Sequence, residues 1–279
     1  AWDRWARVLK PEGFEGGGEG PPSRRSLLDQ VVQTALPDTK DPDQVSTTVK
    51  AFMQCDLPGE LIELLERIVL QGSDFSNNKI LQNLLIMTAI RANKEKVSEY
   101  INRLDFFDGE GIATACIEAD LFEEALTIFL KFGKNSSGEE EEKFHVAAVD
   151  VLVDNIADLD RAKEFAERVN IAPVWSKLGK AYLNADQVND CVGAFIKAAD
   201  AGDYPMVIAA AEKADNHEGL VPYLKMCRKT IKEQGLDTQL IYSLAKTDKL
   251  AELEEIISVP NVAKIDETGE RCYDEGMFN

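Results

Sequence analysis

The chain has 279 residues, 44% of them apolar, which is enough for a substantial core and excludes a disordered tail. Acidic residues outnumber basic ones 50 to 31, and the formal charge of -19 repels nucleic-acid phosphates and anionic headgroups over most of the surface. No apolar run approaches the roughly 20 residues a spanning helix needs, and AWDRWARVLK lacks the zones of a signal peptide, so a soluble chain with no membrane insertion is expected.

Helix-spaced apolar patterns recur from end to end, and no sustained two-residue alternation of β-branched residues interrupts them, so the expected fold class is all-α. The patterns place helices near 1–9, 26–36, 42–55, 60–70, 79–91, 94–104, 109–119, 122–132, 143–154, 159–169, 174–184, 188–199, 204–214, 218–231, 236–247, 250–258 and 262–275. These are about seventeen short helices. Between the first two lies PEGFEGGGEGPPS (11–23), a mobile surface loop by composition, followed by Arg24-Arg25, a charged helix lead-in. Helix 60–70 keeps Glu60, Glu63, Glu66 and Arg67 on its wet side, whereas helix 79–91, KILQNLLIMTAIR, is apolar almost all round and is expected to be wedged between neighbours. A second mobile surface loop is expected at GKNSSGEEEE (133–142). The chain starts at Ala1 and its last stretch, GERCYDEGMFN, stops in mid-pattern, which reads as a piece of something longer.

The connections are short and carry Asp, Asn, Gly or Pro, so each helix turns back beside its predecessor as an antiparallel hairpin. The second helices align as LFEEALTIF (121–129), LDRAKEFAERV (159–169), VNDCVGAFIKA (188–198), GLVPYLKMC (219–227) and LAELEEIIS (250–258). Their matched positions Ala125, Ala162, Cys191, Pro222 and Leu253 recur about every 30 residues, the first interval being longer. One hairpin cannot bury its apolar face alone, so this recurrence implies a solenoid of stacked helix pairs. In the clearest unit Trp175, Leu178, Gly179 and Tyr182 share one face, and Val188, Cys191, Val192, Phe195, Ile196 and Ala199 answer from the next helix. Gly179 has no side chain and lets that helix approach closely. Together with Ala198 these residues are read as the structural core of a repeat, not as a ligand box.

Catalytic chemistry has no anchor. His145 and His217 stand alone, without the spacing of metal ligands, and are expected to be surface or partly buried structural residues. The glycines of 16–20 follow no strand and end in Pro21-Pro22, so they make no phosphate loop. Glu139–Glu142 are expected to stay solvated and ionised, which disqualifies them as general acids. No GxSxG elbow is present, and Asn135-Ser136-Ser137 is an isolated glycosylation sequon. Cys55, Cys116, Cys191, Cys227 and Cys272 lie far apart with no CxxC pair and read as reduced core residues; no cofactor or metal is expected.

The strings SLLDQVVQTALPDTKDPDQVSTTVKAFMQCDLPGELIELLERIVL (26–70) and LQNLLIMTAIRANKEKVSEYINRLD (81–105) closely resemble the clathrin heavy chain family in its leg region. The likeness continues in order through LFEEALTIFLKF, NIADLDRAKEFAERV, VWSKLGKAYL, LIYSLAKTDKLAELEEII and GERCYDEGMF. This resemblance implies a right-handed α-solenoid, an α-zigzag of hairpins grouped into heavy-chain repeats. It places residues 1–104 at the end of one repeat, 105–259 in the next and 260–279 at the start of a third. It further implies an architectural role on the cytoplasmic face of coated pits and vesicles in endocytosis and intracellular protein transport. The implied partners are other heavy chains, as triskelion trimers and along the legs, with a light chain near the C-terminal end. Relative to the family pattern, loops 11–23 and 133–142 look expanded.

A tetratricopeptide-like, peptide-binding solenoid is the alternative, because Trp175, Leu178, Gly179, Tyr182, Phe195 and Ala198 fit that spacing as well. Against it, the other hairpins keep no uniform 34-residue period. An all-α enzyme would need a deep pocket with convergent titratable groups.

Overall fold

The computed structural model describes residues 49–50, 58–71 and 74–277. The helices expected near 1–9 and 26–36, most of that near 42–55, loop 11–23, Arg24-Arg25 and Cys55 lie outside the described residues. Fourteen α-helices and no strand are found among the described residues. They are α1 (Pro58–Leu70), α2 (Lys79–Ala92), α3 (Val97–Arg103), α4 (Gly109–Glu118), α5 (Phe122–Asn135), α6 (Glu139–Asp150), α7 (Leu159–Val169), α8 (Ala172–Asn184), α9 (Val188–Ala198), α10 (Tyr204–Lys213), α11 (His217–Cys227), α12 (Gln234–Lys246), α13 (Leu250–Ser258) and α14 (Ile265–Asp274). A 3-10 turn, Lys94–Lys96, precedes α3, and a π-helical turn, Val151–Asn155, follows α6.

The chain divides after Phe129 into two compact units. In the first, α1 buries Leu61, Leu64, Leu65 and Ile68 and packs on α2, which also meets α3 and α4. No residue from 81 to 90 is exposed, as expected of a wedged helix. Its one buried polar side chain is satisfied: Gln82 Nε2 donates to the Ser76 carbonyl (2.6 Å) and Oε1 accepts the Phe106 N–H (2.9 Å). Glu66, expected on the wet side of α1, is half-buried instead, accepting from Lys96 Nζ at 2.7 Å and from the hydroxyl of fully buried Tyr100 at 2.5 Å. Burial raises its pKa, but these two hydrogen bonds and the nearby positive charges outweigh that and hold the carboxyl below its usual range.

In the second unit every substantial helix contact joins helices one or two places apart in sequence: α6 with α7 and α8, α7 with α8, α8 with α9, α9 with α10 and α11, α10 with α11, α11 with α12, and α12 with α13 and α14. That is the nearest-neighbour packing of a helical solenoid. Polar side chains repeat the same rule on the flank. Lys163–Asp190 (2.7 Å), Lys213–Asp186 (3.5 Å) and Lys225–Glu252 each tie residues 27 apart. Such exposed pairs contribute about 0–1 kcal/mol each, so the apolar seam supplies most of the cohesion.

The turn that closes each hairpin is nearly identical. Asp120, Asp186, Asp215 and Asp248 sit in the left-handed region, with Ala157 in the equivalent place after the π-helical turn. Beyond each Asp the next N–H reaches back five residues, as from Leu121 to the Cys116 carbonyl (2.8 Å) and from Asn216 to that of Ala211 (2.9 Å). This is the Schellman arrangement, and Asp is among the few non-glycine residues that adopt its left-handed position readily. Five residues after the first four turns lie Ala125, Ala162, Cys191 and Leu220, all fully buried, and after the fifth lies half-buried Leu253. The matching position in α11 is therefore Leu220 and not Pro222, which is exposed on that helix.

Segment 133–142 is not the mobile loop its composition suggests. Helix α5 runs on to Asn135 and α6 begins at Glu139, leaving only residues 136–138 between them. The four glutamates fill the first turn of α6, where unpaired N–H groups and the helix dipole favour negative charge. Replacing Glu139–Glu142 by serine is expected to cost about 1 kcal/mol, because dipole stabilisation and mutual repulsion largely offset each other. Circular dichroism should show fraying confined to about one turn; a broad loss of helicity would refute this account.

Candidate functional site

The residues of the α8–α9 hairpin converge in one seam. Ile171 precedes α8 in extended conformation, Pro173 lies in its first turn, and Asn170 before it is left-handed. Asn170 Oδ1 accepts the Trp175 indole N–H at 3.0 Å, which orients the ring. Trp175, Leu178, Gly179 and Tyr182 are buried on α8, and Cys191, Phe195 and Ala198 are buried on α9. A Cβ on Gly179 would lie 3.1 Å from the Phe195 ring, so only glycine allows this approach without displacement. Phe195 in turn meets Tyr223 of α11, ring centroids 6.2 Å apart. Lys197 caps the seam, its ammonium 3.9 Å from the Trp175 ring centroid. Ala199, expected on this face, is instead exposed as the left-handed residue ending α9.

His145 and His217 occupy packing positions. His145 is half-buried with its ring edge-on to Phe165, centroids 5.7 Å apart. His217 is more deeply buried than its sequence context suggests, at 5% exposure. Its Nδ1 lies 3.3 Å from Ser243 Oγ, and its ring meets Tyr242 edge-on at 5.3 Å. Burial lowers its pKa, with Asp215 opposing, so it is neutral near pH 7. The stability it contributes is present above its unfolded value of about 6.5 and is lost as the pH falls below it. Among the described residues no cluster of His, Cys, Asp and Glu could hold a metal ion. Cys116, Cys191 and Cys227 are free and buried, and burial pushes the Cys116 and Cys191 thiols up to about 12, where they are poor nucleophiles.

An open cleft of about 680 Å³ lies between the end of α11, α12, α13 and the segment after it. Buried Leu240 and Ile256 line it together with exposed Lys229 and Lys232. Two of its polar groups hold the fold: Arg228 Nε donates to Asp237 Oδ1 (2.8 Å), while Asp237 Oδ2 accepts the Val262 N–H (3.0 Å). Lys225 pairs with Glu252. These contacts tie the extended segment after α13 to α12. They do not converge on a point where a substrate atom would sit.

The repetition of aspartate turns was legible but escaped the sequence reading: Ala119-Asp120, Ala185-Asp186, Ala214-Asp215 and Thr247-Asp248 each stand just before a second helix. Among the described residues no helix is long and apolar enough to cross a membrane.

Comparison with known proteins agrees with the repeat geometry. The clathrin family model, described as a region in clathrin and VPS, matches residues 36–190 and 195–279. A clathrin heavy chain of Dictyostelium discoideum is 49% identical over 276 residues, covering 99% of this chain and 15% of that protein. Human clathrin heavy chain 2 is 48% identical over 274 residues, covering 98% and 16%. Arabidopsis thaliana clathrin heavy chain 1 is 48% identical over 276 residues, covering 99% and 15%. The chain thus spans about 15% of the length of the curated relatives it matches. Its helices pack in sequence order and the family model covers most of its length, so the chain belongs to the clathrin family.

Proposed function

We propose that this chain is a non-catalytic scaffold segment of a clathrin heavy chain leg, contributing to the polyhedral coat of vesicles and pits in endocytosis and intracellular protein transport. The observation that carries the reading is the unbroken similarity to clathrin heavy chains over 99% of the chain. Nearest-neighbour packing supports it physically, because small adjustments at each helix interface add up to a bend without unfolding any core. Other heavy chains are the partners, through the triskelion trimer and side-by-side leg contacts, with a light chain toward the C-terminal end. The site of action is the cytoplasmic face of coated membranes.

Within the leg, residues 1–104 are the end of one heavy-chain repeat, 105–259 the next and 260–279 the start of a third. The two compact units meet after Phe129, at a different place from these repeat boundaries. In this reading Trp175, Leu178, Gly179, Tyr182, Cys191, Phe195 and Ala198 are the core of one repeat, with no ligand-binding role. The tetratricopeptide-like alternative is not favoured: the left-handed turn residues Asp120, Ala157, Asp186, Asp215 and Asp248 keep no uniform 34-residue spacing.

Electron microscopy of the full-length protein carrying this segment, under coat-forming conditions, tests the reading. Closed polygonal cages are expected. A folded protein that never forms them would overturn it.

A further inference from the structure

Between α11 and α12 the chain leaves the helices from Arg228 to Glu233, a stretch that reads RKTIKE. Arg228, Lys229 and Lys232 of this stretch line the cleft described above, together with Lys225; its only acidic lining residues are Asp237 and Glu255. The rim is therefore positive on a chain whose formal charge is -19. Lys225 is neutralised by Glu252 and Arg228 by Asp237. Among the described residues Lys229 and Lys232 have no ion-pair partner, so two cations are left uncompensated against the single carboxylate of Glu255.

Thr230 stands between these two lysines, directly after Lys229 and two places before Lys232, and it is exposed. Its hydroxyl donates only to the Cys227 carbonyl, at 3.1 Å. The same carbonyl accepts the backbone N–H groups of Thr230 (3.0 Å) and Ile231 (2.8 Å). Opening these contacts lets the segment lie extended in a kinase groove without touching the core, since no residue from 228 to 233 is buried. Other hydroxyls lack this combination. Thr247 also lies between lysines, Lys246 and Lys249, but it is half-buried and its hydroxyl donates to the carbonyls of Ser243 (2.8 Å) and Leu244 (3.3 Å). Lys246 is in turn held by Glu275 at 2.7 Å. Ser137 lies outside the helices as well, but Gly138 and four glutamates follow it.

We propose that Thr230 is a phosphoacceptor for a protein kinase that selects basic side chains flanking the hydroxyl, and that the phosphate neutralises the positive rim of the cleft. In the step Thr230 Oγ1 attacks the γ-phosphorus of ATP. The Oγ1–P bond forms as the bond to the ADP oxygen breaks, and the hydroxyl proton passes to the catalytic carboxylate of the kinase. The product carries a charge of about -1.5 to -2 at pH 7 and three strong acceptor oxygens. Lys229 and Lys232 are free to meet it. Arg228 is not: drawing it away from Asp237, 5% exposed, would strand a buried carboxylate, which costs more than a contact to an exposed phosphate returns. The link from Arg228 through Asp237 to the Val262 N–H therefore holds, and only the sign of the rim changes. The site is independent of the scaffold reading, because no contact between legs enters it.

The test uses the full-length protein carrying this segment, ATP and a constitutively active serine/threonine kinase that selects a basic residue two places after the acceptor. The kinase is first confirmed on the free peptide 225–236; a peptide that no such kinase accepts would overturn the proposal. On the folded protein, mass spectrometry of local peptides is expected to find phosphate on Thr230 and none on Thr247. Thr230→Val should abolish the modification, and Lys232→Gln should slow it roughly tenfold. Both positions are exposed, so neither variant should alter circular dichroism or melting. Hydrogen–deuterium exchange over 259–264 is expected to be the same before and after phosphorylation, because the Asp237 link holds. No phosphate on Thr230 of the folded protein, modification only after heat unfolding, or an undiminished rate in Lys232→Gln would each refute the site. Faster exchange over 259–264 would show that the phosphate had captured Arg228 and would overturn the account of the rim. Failure to build cages would count against the scaffold reading and leave this site standing.

Discussion

Replacing Trp175 by alanine is expected to destabilise the second unit by about 3–5 kcal/mol, the range for deleting a large buried aromatic. The side chain is 3% exposed and fills the seam between α8 and α9. Its removal leaves a void in the seam between α8 and α9. It also leaves Asn170 Oδ1 without the indole N–H and Lys197 without its ring. Both of these groups are exposed and water replaces the lost contacts, so the lost packing carries most of the cost. Trp175→Phe separates the components: it retains most of the apolar volume and loses the hydrogen bond, so a smaller cost is expected. Urea denaturation followed by circular dichroism measures both. A midpoint unmoved by Trp175→Ala would mean that the ring is not a packing element.

Leu65→Ala should destabilise the first unit by about 2–5 kcal/mol. Leu65 is fully buried, next to equally buried Leu64, on the face that α1 turns to α2. The magnitude depends on how far α1 and α2 collapse into the void, and the neighbouring Glu66–Tyr100–Lys96 contacts resist that collapse by fixing α1 against α3 and the turn before it. The cost should therefore fall in the upper part of the range. Glu95→Ala, an exposed change in the same unit, serves as a control expected within about 0.5 kcal/mol. Thermal melts of the two variants that coincide would show that Leu65 carries no burial energy.

Much of the fold was legible because the apolar spacing of each helix is regular and its ends are punctuated. Leu159–Val169 and Leu250–Ser258 have the expected bounds to the residue, and Val188–Ala198 differs by one. The misreadings share a cause: composition was weighed without position. Four consecutive glutamates resemble a solvated loop until they are placed against the orphan N–H groups of α6. Pro222 matches the recurrent place by string alignment alone; the turn at Asp215 sets the register and selects Leu220. Ala199 has an apolar side chain but ends a helix in the left-handed region, so it faces solvent. The ion pair between Glu212 and Arg271 was beyond sequence reasoning altogether. Glu212 and Arg271 are 59 residues apart, and no periodicity within either helix announces that they meet.

The aspartate turns set where this architecture can change length. Each fixes the five residues between hinge and seam, and one added residue in that interval would rotate every later side chain of the helix by about 100°. Ala125 or Cys191 would then leave the dry interface for water, and the following hairpins would lose their footing. Insertions and deletions are thus confined to the opposite ends of the hairpins, such as residues 136–138 between α5 and α6, where extra chain alters neither hinge nor seam.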